Sequence, residues 1–274
     1  MHDPSRTRLG EAILNDLPRL DLDGEFSFRC GPQRECFNDC CADVNIVLTP
    51  YDVLRMKQSL GISSGDFLDT YTLIPFSKEH TFPVVFLKMN PEEPHTCPFV
   101  RDEGCTIYPD RPWACRMYPV GLAAPAEEQE ERFYFLLEEP TCRGCEEGRP
   151  WTVRSWLEDQ AVGPYDDLGE EFKAISLHPF FREGGQLEPN QMDMLFMSLY
   201  DLDRFRRFVF ESSFLKRFRL DAEELARIRN SEVELLRLGF RWLRFCLLKE
   251  ATLEVRRDSR DRAGHAPTAT RRAP

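Results

Sequence analysis

The sequence predicts an α+β chain in two parts: an irregular cysteine-rich module with short strands and helices, then a mainly helical C-terminal portion. Three observations predict it. Nine of the ten cysteines lie between Cys30 and Cys145, six prolines crowd the stretch from Pro91 to Pro119, and beyond about residue 150 apolar residues recur every three or four positions. The expected divisions are a loosely ordered polar N-terminus (1–24), a cysteine-cluster metal-binding module (25–148), a helical portion (149–253) and a disordered basic tail (254–274).

Glu25 to Cys30 alternates apolar and polar side chains, as a short strand feeding the first cysteine would, and Asn45 to Leu48 is a second strand candidate. Thr49-Pro50-Tyr51-Asp52 supplies an N-cap hydroxyl, a proline at the first helical position and an acid in the first turn, so a helix should start there and stop near Gly61. Ser64 to Leu68 opens a second short helix. Thr81 to Met89 and Arg132 to Leu137 are β-prone. The proline-rich stretch between them should exclude regular structure while fixing the path of the chain around Cys97, Cys105 and Cys115. The acidic run Glu127 to Glu131 reads as a solvated loop.

Helices are expected over Trp151 to Gln160 and, as one long element, over Gln191 to Leu215, where Leu195, Leu199, Leu202, Phe205 and Val209 form a stripe. Asp221-x2-Glu224 and Ser231-x2-Glu234 have the form of capping boxes, and the helix after Ser231 is apolar on more than one side. Phe205 to Glu211 mixes aromatics with arginines, which at helical spacing reads as core plus a solvated edge.

The formal net charge is −11, and the last twenty residues hold six arginines against Asp258 and Asp261, a local +4 that leaves −15 on the body. Phosphate backbones repel such a body, so nucleic-acid binding is not expected. The stretch Met1-His2-Asp3-Pro4 lacks the apolar region of a signal peptide, and no apolar run is long enough to span a membrane. The expected compartment is therefore cytoplasmic, where patterned cysteines read as metal ligands or redox groups rather than disulfides.

The cysteines fall as Cys30-x5-Cys36-x3-Cys40-Cys41, then Cys97, Cys105 and Cys115, then Cys142-x2-Cys145. Thiolates are soft, strong ligands, and sets of four hold zinc or an iron–sulfur centre. Short pairs such as Cys36-x3-Cys40 and Cys142-x2-Cys145 suit zinc, whereas runs with distant completers suit iron–sulfur, which is slightly preferred. Adjacent side chains usually point apart, so Cys40 and Cys41 more readily serve different metals, or different atoms of one cluster, than one zinc ion. A radical-SAM reading fails because its third cysteine position is Asp43. His95, two residues before Cys97, is the one histidine weighed as a ligand, and Cys246 in an apolar helix reads as core.

The segments RCGPQRECFNDCC, LTPYDVLRMKQSLGIS with DFLDTY, and CPFVRDEGCTIYPDRPWACRMYP resemble the YkgJ-type cysteine-cluster family over about residues 26 to 120. That family is associated with zinc or iron chelation and is named for a C-x2-C-x2-C-C run. The resemblance places the run on Cys30, Cys36, Cys40 and Cys41, with wider spacing here, and the later cysteines on Cys97, Cys105 and Cys115. Cys142 and Cys145 rest on spacing alone. The family includes flagellin lysine N-methylases, so the resemblance also implies protein lysine methylation with S-adenosylmethionine as an alternative activity. A third reading is a zinc-stabilised interaction module that docks a protein partner through its C-terminal helices.

Arg111 and Arg116 flank Cys115 and are candidates to donate to cluster sulfurs or to a substrate carboxylate, against an ion pair with Asp110 or Glu103. Pro112 fixes the turn before Trp113, whose ring would shield the site from water, while Tyr108 and Tyr118 read as packing residues. The sequence holds no glycine-rich phosphate loop, no G-x-S-x-G elbow and no H-E-x2-H.

Overall fold

The computed structural model describes residues 17–75, 82–123, 132–146 and 148–256. Two compact units divide the chain, Met1–Gln186 and Leu187–Pro274. The architecture is α+β, with short antiparallel strand pairs and most of the helices in the C-terminal half. The acidic run 127–131 and most of the basic tail lie outside the described residues.

The first unit runs β1 (Glu25–Phe28), α1 (Pro50–Leu60), α2 (Ser64–Tyr71), β2 (Thr72–Leu73), β3 (Phe86–Leu87), β4 (Val100–Arg101), β5 (Gly104–Cys105), α3 (Trp113–Met117), β6 (Val120–Ala123), β7 (Phe133–Leu136), β8 (Arg149–Thr152), α4 (Val153–Asp159), α5 (Gly163–Ser176) and α6 (Pro179–Arg182). In β1 the alternation acts as expected: Phe26 and Phe28 are buried while Glu25 and Ser27 face solvent. The strand pairs antiparallel with β8, setting Phe26 opposite Trp151 and Phe28 opposite Arg149. Phe28 meets the Trp156 ring edge-on at 5.5 Å, and Met117, Val120, Val153 and Val162 complete this core. At roughly 1.5–3 kcal/mol for each fully buried large apolar side chain, the cluster firmly joins the residues just before Cys30 to those just after Cys115.

Helix α1 begins at Thr49, whose hydroxyl accepts the Asp52 N–H while the Asp52 carboxylate accepts the Thr49 N–H, and it ends at Gly61. Such a cap contributes about 1 kcal/mol. Val53, Leu54 and Met56 anchor its inner face. Ser63 caps α2 by accepting the Asp66 N–H. Of the β-prone stretch 81–89, only Phe86–Leu87 forms a strand, pairing with β2, because Pro83 has no N–H to give a ladder. Val47, from the second strand candidate, makes a single bridge to Phe86.

The proline-rich stretch holds more regular structure than its composition predicts. Its prolines sit where a missing N–H costs nothing: Pro112 just before α3, and Pro109 in a 3-10 turn over Tyr108–Asp110. The β4–β5 hairpin fills the proline-free interval between Pro98 and Pro109. Trp151 belongs to β8, so the helix expected from that residue starts at Val153 instead, under a Thr152 cap.

The second unit contains α7 (Pro189–Leu199), α8 (Leu202–Glu211), α9 (Phe214–Arg217), β9 (Phe218–Arg219), α10 (Ala222–Asn230), α11 (Glu232–Cys246) and β10 (Glu254–Val255). The single helix expected over 191–215 is three. Asp201 breaks it by accepting the Arg204 N–H as an N-cap, and at the second break Ser212, the C-cap of α8, accepts the Phe214 N–H with its hydroxyl. The apolar stripe nevertheless survives both breaks, with Leu195, Leu199, Leu202, Phe205 and Val209 all buried. Asp221 and Ser231 cap α10 and α11 as expected. Glu254–Val255 pairs antiparallel with β9. Among the described residues, no helix is long and apolar enough to cross a membrane.

Candidate metal centre

Three segments of the first unit carry the candidate thiols, and each is held by interactions distant in sequence. The first is the loop 29–42. It follows β1 and ends in a 3-10 turn over Asp39–Cys41, entered through Asn38 at a left-handed φ of 76°. The Asn38 side-chain amide donates to the Arg101 carbonyl at 2.9 Å, tying this loop to the β4–β5 hairpin. Beyond the turn, Ala42 bridges antiparallel to Thr96 and the Cys97 N–H donates to the Cys41 carbonyl at 2.7 Å.

The second segment, 95–117, presents Cys97, Cys105 and Cys115. Hairpin register sets Val100 opposite Cys105 and brings Cys105 back beside Cys97. Gly104 turns the chain at a φ of 117°, a conformation open to glycine and strained for other residues. Cys115 lies on α3, whose first N–H, that of Trp113, donates to Asp52 Oδ1 at 2.8 Å. The Trp113 indole N–H donates to Asp166 Oδ1 at 2.7 Å. Two carboxylates thus fix the helix that carries Cys115.

The third segment, 142–146, lies against β1. Arg29 donates its N–H to the Gly144 carbonyl at 2.9 Å, and a side chain at Gly144 would place its Cβ 2.3 Å from the Phe28 ring. Only a glycine lets the loop come this close. The Arg143 N–H then points at Cys36 Sγ from 3.2 Å, and the Gly144 N–H at Cys142 Sγ from 3.4 Å.

Further N–H groups serve sulfurs elsewhere. Burial pushes the Cys97 thiol up, while the N–H groups of Phe99 and Val100 oppose the shift; at Cys105 burial is opposed by the Ile107 N–H and by the Arg111 charge. At Cys30, burial and the neighbouring thiols of Cys40, Cys36 and Cys142 raise the pKa against the Gly31 N–H. Cys115 reaches solvent yet is ringed by protein; desolvation, then Cys97, Cys105, Asp52 and Cys40, push its thiol up to about 12. A hydrogen bond from Cys41 holds Cys40 down at about 7, and the same bond drives Cys41 upward, aided by burial and by Cys97 and Cys115. Burial raises Cys145, which borders Cys142 and Glu138.

Nine thiols therefore border one another in a continuous series. Among the described residues, no three His, Cys, Asp or Glu side chains are already arranged around a point where one ion would sit. All ten cysteines are free thiols. Cys246 belongs to the second unit, at the end of α11, with Lys249 and Arg217 as its charged neighbours.

Arg111 and Arg116 are both buried, and their hydrogen bonds go to protein oxygens rather than to sulfur. Arg111 donates to the Tyr108 carbonyl at 2.6 Å and to the Gln160 side chain; Arg116 donates to the carbonyls of Arg111, Gln160 and Pro109. Asp110 pairs with Arg55. Arg111 still lies close enough to Cys105 and Cys115 to interact with both electrostatically. His95 is engaged by Asp43, its Nδ1 3.1 Å from Oδ1. The Tyr118 hydroxyl is buried without a well-formed hydrogen bond and borders Cys142; burial first, then that sulfur, raise its pKa.

Residues 29–143 match the family model CxxCxxCC, described as "Putative zinc- or iron-chelating domain". The matched segment is thus similar to the cysteine-cluster family whose motifs the sequence resembles. The match runs past the second motif to Arg143, so it takes in Cys142 and stops short of Cys145. No curated protein and no solved structure matches the chain. The donor chemistry suits the group such a domain takes: desolvated thiols crowd together, and backbone N–H groups are directed at sulfur, both of which favour thiolates once a cation balances their charge.

Proposed function

We propose that the module of residues 25–148 is a metal-binding cysteine cluster whose ligands come from Cys30, Cys36, Cys40, Cys41, Cys97, Cys105, Cys115, Cys142 and Cys145, with an iron–sulfur centre preferred over zinc. One observation carries the reading: three segments far apart in sequence are stapled together by backbone bonds so that their thiols adjoin. Crowded thiols are costly as an apolar core and costlier as free thiolates, and bound cations remove that cost.

The preference for iron–sulfur rests on the adjacent Cys40 and Cys41, which suit different metals or different atoms of one cluster better than a single zinc ion. The N–H groups directed at Cys36, Cys97, Cys105 and Cys142 also suit it, since hydrogen bonds to sulfur set the potential of such centres. Arg111 contributes positive charge at Cys105 and Cys115, and with Arg116 it braces the turn that presents Cys115. At the least, the bound metal would tie the three segments together; electron transfer or catalysis at the same centre would build on that scaffold.

Anaerobic purification followed by iron, zinc and acid-labile sulfide analysis tests the reading. Stoichiometric iron and sulfide with broad absorbance near about 400 nm is expected. A colourless protein holding zinc would replace iron–sulfur with a zinc scaffold, and a folded, reduced protein free of both metals would overturn the proposal. Calorimetric titration with S-adenosylmethionine separately tests the methylase alternative.

A further inference from the structure

Resting on the metal-binding reading above, we propose that the cysteines form two distinct four-thiolate centres, Cys30, Cys36, Cys40 and Cys142 in one and Cys41, Cys97, Cys105 and Cys115 in the other. The division falls at the peptide bond between Cys40 and Cys41.

The backbone contacts sort the thiols in this way. The loop that carries Cys142 is bonded to the first cysteine segment: Arg29 N–H reaches Gly144, Arg143 N–H reaches Cys36 Sγ at 3.2 Å, and the missing Cβ at Gly144 lets Phe28 close over it. The neighbours that crowd Cys30 are Cys40, Cys36 and Cys142. On the other side, Cys41 is held to Cys97 by the 2.7 Å backbone bond, the hairpin returns Cys105 beside Cys97, and Asp52 holds the helix bearing Cys115. The thiols beside Cys115 are Cys97 and Cys105 first and Cys40 more weakly, and after its chain neighbour Cys40 the thiols beside Cys41 are Cys97 and Cys115. Each set has four members, which is the complement of one zinc ion or one iron–sulfur cluster.

Cys145 falls outside both sets. It borders Cys142 from the exposed rim of the loop, and among the described residues no backbone bond directs it to either centre. The thiols do not yet converge on two points, so each set closes by rotation of its side chains about Cα–Cβ while the backbone staples remain.

Metal counting on the full-length protein tests the division. The anaerobic wild type is compared with Cys36→Ser/Cys142→Ser, with Cys97→Ser/Cys105→Ser and with the combination of all four. Each double variant is expected to retain half of the wild-type metal and the fourfold variant none. A folded double variant that loses all metal would show that the sulfurs serve one centre, overturning the division. Should a variant fail to fold, cobalt(II) titration of metal-free wild type reads the same question through thiolate charge-transfer absorbance. Saturation at two equivalents supports two centres, and saturation at one overturns them. A wild type that binds no metal at all would instead remove the underlying metal-binding reading, so the two failures are distinguishable.

Discussion

Asp52 and Trp113, sixty-one positions apart, are joined by a 2.8 Å hydrogen bond from the Trp113 N–H to Asp52 Oδ1. The other carboxylate oxygen of Asp52 accepts the Thr49 N–H and hydroxyl, both at 2.7 Å. One buried side chain therefore finishes the N-termini of two helices, its own and the one that carries Cys115. Burial pushes its pKa up, and the Trp113 and Thr49 donors oppose that shift.

Replacing this carboxylate should be expensive. Asp52→Ala leaves buried donors without an acceptor and is expected to cost about 1–3 kcal/mol in urea unfolding. Asp66→Ala removes only an exposed acceptor for the Ser63 hydroxyl and should cost about 1 kcal/mol or less. Equal losses in the two variants would show that the bond to Trp113 contributes little.

Thiol substitutions should separate site from core. Cys40→Ser and Cys115→Ser are expected to lose metal and to destabilise the cysteine module, because ligation and folding are coupled. Cys246→Ser, in the second unit, should retain the full wild-type content. Wild-type metal and melting in Cys115→Ser would remove that residue from the ligand set.

Gly144→Ala tests the close approach of the third segment to β1. The added carbon would lie 2.3 Å from the Phe28 ring, so either the ring or the loop must move. Overpacking of this kind costs about 1–3 kcal/mol, and the displaced loop should weaken metal retention. Thermal unfolding and metal analysis of the purified variant read both effects. Unchanged values in both would show that the loop accommodates the methyl group freely.

Acid should affect the helical unit through Asp193. Arg204 donates to both of its oxygens at 2.7 Å and holds the carboxyl below its ordinary range. A depressed folded pKa contributes stability above the unfolded value of about 4, and that stability is lost as pH falls through the folded value. Both side chains are about half exposed, so the contribution should be only a few tenths of a kcal/mol to about 1 kcal/mol. Asp193→Asn should be less stable than wild type by that amount at pH 6, with the gap closing under strong acid. A gap that widens on acidification would contradict the sign.

Chelation should loosen the module locally. Amide exchange is expected to accelerate over Asn38 to Ala42 and Thr96 to Ile107, while the β1–β8 amides keep their protection. Uniform loss of protection across the module would instead indicate that metal holds the entire unit.

Much of this was legible in the residues themselves. The caps at Thr49, Ser63, Asp221 and Ser231 act through side chains whose type announces them, and the alternation in β1 needs only its two phenylalanines. The break at Asp201 was hidden because the apolar stripe continues through it; burial is indifferent to a change of helix axis. At the site, cysteine spacing marks the candidate ligands, but Asp52 looks like an ordinary first-turn acid and its second acceptor role depends on a distant backbone N–H. Arg111 and Arg116 were candidates to face sulfur because they flank Cys115. Their partners are mostly carbonyl oxygens, which every residue possesses and which therefore leave no trace in the sequence.

The pairing of β1 with β8 has an entropic consequence for the cysteines. It closes a loop of about 120 residues, and because closure entropy grows only with the logarithm of length, most of the cost of confining that chain is met at its neck by Phe26, Phe28 and their partners. Inside it the chain is cinched again by the Cys41–Cys97 and Arg29–Gly144 bonds. An arriving ion needs to organise side chains more than chain, so uptake should proceed quickly and without global refolding.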